Sequence, residues 1–277
     1  LDGGTNALII TGQLDLDGAA TNLSTLSVSG ASNLGADVTT TGTQTYTGAV
    51  TLSASPTLTT TSSAILFSST VNAVDATDRD LTFGVGSGNV TFTSAVGTTW
   101  NLGTITNIAG QTLTFSDAVT ANTIANYDTL LFNASSIKTI SPNITDNGST
   151  VIQVINSADG APAVMTFLGN VAADTITIGT TTKAGSALFN GTVSGTTINI
   201  IGGESLAASL ANFANTVTVT AITLDDNTAT ATATFSGASK TITGTINGSA
   251  TTEGTVTVSG TPTFINTIGN TQRTSQL

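Results

Sequence analysis

Any chemistry in this chain has to come from carboxylates, hydroxyls, amides and five scattered Lys and Arg residues, because the sequence contains no His and no Cys. That removes Ser-His-Asp relays, imidazole metal ligands, thiol nucleophiles and disulfides together. Acidic residues cluster in three places. Asp75-Ala-Thr-Asp78-Arg-Asp80 brings three carboxylates into six residues, and Asp15-Leu-Asp17-Gly18 and Asp225-Asp226-Asn227 are smaller groups. Calcium takes about six to eight oxygen ligands, so such loops are the places to look for it. Asp75, Asp78 and Asp80 form the best candidate. None of the three has the spacing of an EF-hand or of the nonapeptide calcium rolls, and solvated acidic turns explain them as well. Asp225 and Asp226 are adjacent, so on a strand they point to opposite faces; a turn is the plainer reading.

The elements that would carry these groups are marked by a short recurring unit, an aromatic followed four positions later by Val. It reads Tyr46-Thr-Gly-Ala-Val50, Phe67-Ser-Ser-Thr-Val71, Phe92-Thr-Ser-Ala-Val96 and Phe115-Ser-Asp-Ala-Val119. It returns as Phe167-Leu-Gly-Asn-Val171, Phe189-Asn-Gly-Thr-Val193 and Phe213-Ala-Asn-Thr-Val217. Phe132-Asn-Ala-Ser-Ser136 and Phe235-Ser-Gly-Ala-Ser239 are imperfect copies, and Val28-Ser-Gly-Ala-Ser32 reads as the unit with its aromatic lost. Phe83 stands outside the frame. A period near 22 residues that drifts by a few is what stacked β-coils give, since their turns lengthen freely while their strands do not. Runs such as Thr175-Ile-Thr-Ile178 and Thr216-Val-Thr-Val-Thr220 alternate apolar with Thr, the period of a half-buried strand.

The expected fold is therefore all-β, a parallel β-helix (β-solenoid) with coils of about 22 residues. Its coils are expected to be right-handed, as parallel crossovers are. The frame aromatics should stack inward, and the residues after each should turn a corner where Gly or Asn accepts left-handed backbone. Residues 1–277 are read as one solenoid, with an insertion or sub-boundary near 133–166, where Asn143-Ile-Thr-Asp-Asn-Gly148 is a strong turn signal. Glu204 to Ala214 fits two patterns: helix by the spacing of Leu206, Leu210 and Phe213, strand because Phe213 is in frame.

Composition narrows the setting. Only 8% of residues are charged, against about 25% in ordinary domains, while 39% are hydrophobic, which is too apolar for a disordered chain. The formal net charge of −11 opposes nucleic acid and anionic membranes as partners. No apolar run approaches the ~18 residues of a membrane-spanning helix. Leu1-Asp2-Gly3-Gly4 lacks the basic start and apolar run of a signal peptide, as a mature exported chain would.

Thr39 to Leu52, Ile65 to Val71, Gly88 to Gly97 and Ala187 to Val193 resemble the repeats of filamentous-haemagglutinin-type and autotransporter-passenger surface proteins of Gram-negative bacteria. The resemblance implies a β-helical fold and an extracellular, cell-surface setting. The sequence departs from those families in showing no secretion domain and no membrane barrel. The expected function is that of a non-enzymatic, secreted structural protein: a rod, filament subunit or surface-layer element that associates with itself head to tail. An adhesin fragment binding glycans or host surfaces is the alternative, and a carbohydrate-active β-helix enzyme a second. A resemblance to polygalacturonase-type enzymes would require a His and a basic pair nearby, and neither is present. No cofactor is expected apart from calcium at the acidic loop.

Overall fold

In a computed structural model, which describes residues 1–84, 86–156, 164–203, 207–251 and 253–269, the chain forms parallel β-coils with no helix among the described residues. It divides into two compact units, Leu1–Leu130 and Leu131–Leu277.

The first unit builds three short strands per coil. One column begins Leu8–Ile10, Leu26–Val28, Gln44–Tyr46, Ile65–Phe67 and Val90–Phe92, each strand pairing in parallel with the next. Leu8 pairs with Leu26, Leu26 with Gln44, Gln44 with Ile65 and Ile65 with Val90, so the coil grows from 18 to 25 residues. The repeat thus starts well before Thr39, and Val28 occupies the place of Tyr46. The second column is a four-stranded sheet, Leu14–Leu16, Ser32–Leu34, Val50–Leu52 and Val71–Ala73, continued by single bridges at Val96 and Val119. A third column runs from Ala20–Leu23 to Ala121–Asn126.

Every three-residue strand from Gln44 to Phe92, except Thr57–Thr59, shows the burial pattern in–half–in, which period-2 alternation dictates. The frame Val residues share one inward column: Val50 pairs with Val71, Val71 with Val96 and Val96 with Val119.

In the second unit the later strands of each coil fuse. Val171–Ile178, Val193–Ile201, Val217–Asp225 and Ala238–Gly248 run 8, 9, 9 and 11 residues and pair successively in parallel. Opposite them a six-stranded sheet carries the aromatics: Lys138–Ile140, Val164–Phe167, Ser186–Phe189, Ser209–Phe213, Ala231–Phe235 and Thr255–Val258. Ser209–Phe213 is a strand, which settles the described part of the Glu204 to Ala214 ambiguity against helix; residues 204–206 lie outside the described ones. Pairing with strands on both sides supplies backbone partners that local helical propensity would have to match.

Candidate functional site

The aromatic frame forms two stacks, one in each unit. Tyr46, Phe67, Phe92 and Phe115 follow one another with centroids 5.1, 4.7 and 5.1 Å apart and planes within 10° of parallel. Phe167, Phe189, Phe213 and Phe235 form the second at 5.0, 5.3 and 5.4 Å, with planes within 20° of parallel. Spacings near 5 Å follow from the strand separation, which sets one ring over the next. All eight rings are buried.

Phe132 is joined to the second stack by a ring edge rather than a ring face. Its strand, Thr129–Ala134, pairs with Val151–Asn156, while Ile140 is the in-register partner of Phe167, and the two rings meet edge-on at 90°. Phe264 likewise meets Phe235 edge-on, at 87°. Phe83, outside the frame, sits on the third column with its edge toward Phe92, 6.2 Å away. In the imperfect copy after Phe235, Ser239 takes a positive φ of 53° and the strand slips, so Ile242 rather than Ser239 pairs with Val217.

The corner after the aromatic is built differently from the expectation of left-handed backbone. Gly30, Gly48, Gly169 and Gly191 all have ordinary φ. They are needed for closeness: a Cβ on Gly48 would lie 2.3 Å from the carbonyl oxygen of Gly30, and one on Gly191 would lie 2.2 Å from that of Gly169. Coils stack backbone on backbone at these corners.

The acidic loop does not converge. Asp75 accepts from the backbone N–H of Thr77 at 2.8 Å and pairs with Arg79 at 3.6 Å. The Thr77 backbone bond, its side-chain hydroxyl and then Arg79 lower the Asp75 pKa from its ordinary value. Asp78 instead accepts from Asn122 at 2.8 Å, and Asp80 from the backbone N–H of Thr104 at 2.6 Å. Among the described residues no three His, Cys, Asp or Glu side chains gather as metal ligands would. Asp226 accepts from the backbone N–H of Ala231 at 2.7 Å, closing its own turn. Asp15 accepts from Asn33 at 2.8 Å.

A pattern emerges that sequence spacing does not reveal. Acids and amides reach across to backbone N–H groups of a neighbouring coil: Asp37 to Thr57, Asn72 to Thr99, Asp80 to Thr104, Asn89 to Thr112, Asn143 to Asn170 and Asn170 to Thr192. Partners lie 20 to 27 residues apart, so only the coil length brings them together.

On the outer face of the four-stranded sheet, Asp15, Asn33, Thr51 and Asn72 form one in-register polar row. A depression of about 220 Å³ there is lined by Gln13, Asp15, Asn33 and Thr51, among others.

These features define a β-helical repeat protein. No protein-family model, no curated protein and no solved structure matches the chain.

Proposed function

We propose that this chain is a non-enzymatic structural protein of a bacterial surface, of the passenger-repeat kind its sequence resembles, acting as a filament or surface-layer element outside the cell. One observation carries the reading: the distinctive side chains hold coil on coil. Aromatics stack, Val meets Val, and acids and amides reach backbone N–H groups of neighbouring coils. Such a coil presents the next one with a matching edge. A coil edge is a template for another coil, and a second copy docked on one would propagate head to tail. Negative-stain microscopy of the purified chain across a concentration series tests this. Filaments or arrays are expected; dispersed particles at high concentration would remove the polymerising form.

The polar depression beside Asp15, Asn33 and Thr51 favours a second reading, an adhesin that binds glycans on this outer face. A glycan array probed with the wild-type chain and with Asn33→Leu separates the two. Silence of both proteins would discard the adhesin.

A further inference from the structure

One corner of the first unit buries more polar chemistry than its own side chains satisfy. Asn107 and Gln111 flank the turn that leads out of strand Leu102–Thr106, and both are buried, at 0% and 2% exposure. The two residues converge on Thr129: its backbone N–H donates to the backbone carbonyl of Gln111, and its own carbonyl accepts from Asn107 Nδ2 at 3.2 Å. Asn107 Nδ2 also donates to Oδ1 of buried Asn126 at 3.0 Å. Among the described residues these are the side-chain hydrogen bonds of the pair. Asn107 Oδ1, Gln111 Oε1 and Gln111 Nε2 are all buried without a protein hydrogen bond.

The earlier corner at Gln44 shows what the fold does when partners exist. Gln44 Nε2 donates to the Thr59 carbonyl at 2.9 Å, and its Oε1 accepts from the Tyr46 hydroxyl at 3.1 Å. Gln111 has no such neighbours, although an unpaired buried amide is strongly disfavoured.

We infer that the Asn107–Gln111 corner is a binding site for one internal water molecule. The chemistry of the three orphan atoms selects the ligand. Two are acceptors and one is a donor, so the occupant must both donate and accept. A water donates to Asn107 Oδ1 and Gln111 Oε1 while its oxygen accepts from Gln111 Nε2. A metal cation satisfies only the oxygens and leaves the amide N–H₂ facing positive charge. Buried waters typically make about three hydrogen bonds, the number offered here.

The test is a crystal structure of the full chain at about 1.5 Å, with solution NMR of the side-chain amides. One ordered water bonded to both residues is expected, together with a water cross-peak to the Gln111 side-chain N–H₂. The cross-peak should vanish in Gln111→Leu. Direct bonding of Gln111 to protein groups, an empty corner, or a cation with oxygen ligands only would each overturn the inference. Should Gln111→Leu fail to fold, the wild-type density and cross-peak still decide.

Discussion

Gly48 lies against Gly30 so closely that a single added methyl would sit 2.3 Å from the Gly30 carbonyl oxygen. The same corner in the first coil, at Gly12, has nothing within 4 Å. This pair of environments gives an internal control. Gly48→Ala is expected to destabilise by about 1–3 kcal/mol, the range for overpacking, and Gly12→Ala by much less. Equal denaturation midpoints for the two variants would refute the close-approach explanation.

Ser32 stands in the inward column where other coils place Val, paired in register with Leu14 on one side and Val50 on the other. It is 2% exposed and its hydroxyl has no partner. Replacing an unsatisfied buried hydroxyl by an apolar group removes a desolvation penalty of about 1–3 kcal/mol. Ser32→Val should therefore raise the urea midpoint, and a lowered midpoint would show that the coil has closed around serine.

Phe92 is sandwiched by Phe67 and Phe115 and receives the edge of Phe83. Phe92→Ala should cost about 3–5 kcal/mol. Tyr46 offers the contrasting case. Its hydroxyl is buried, which pushes its pKa up, and it donates to Gln44. Tyr46→Phe keeps the ring stack but leaves the buried Gln44 Oε1 without its donor, so a loss of about 1–3 kcal/mol is expected. Thermal melts of the two variants should differ plainly.

Asp75 and Asp2 have pKa values lowered from 3.8, each chiefly by a backbone N–H, of Thr77 and Gly4 respectively. A depressed folded-state pKa contributes stability above the unfolded value and loses it as pH falls through the folded one. The two turns should thus loosen only below pH 3.8, by a small amount because both carboxylates are fully exposed. Carbon-detected titration of the Asp carboxyls checks the direction; midpoints above 3.8 for either would contradict these turn geometries.

Calcium should leave the melting temperature unchanged, since Asp75, Asp78 and Asp80 serve Thr77, Asn122 and Thr104 separately. A millimolar calcium titration followed by chelator, read by calorimetry, is sufficient. A reversible upward shift would mean that the loop rearranges to bring the carboxylates together.

The β-solenoid was readable because two signals reinforce each other: alternation within strands and the recurrence of an aromatic at coil spacing. Where the aromatic is absent, as at Ile10 and Val28, the coils shorten to 18 residues and the repeat is hidden, though the pairing is the same. The roles of the turn residues were not readable. Asp80 and Thr104 meet across 24 residues, and no local pattern in the sequence announces a bond whose length is set by a coil. The corner glycines carried the right signal with a different cause, since crowding by a neighbouring backbone and left-handed φ both select Gly. Phe132 meets Phe167 by its ring edge, while Ile140 is the residue in register with Phe167.

Within each stack a ring such as Phe67 or Phe213 has a like ring above and below it. Neighbouring coils are thus nearly interchangeable. Unequal recombination that duplicates or deletes one whole coil leaves the new junction with much the same ring-on-ring, Val-on-Val contact as the old. Length in such a protein is open to inheritance in steps of one coil.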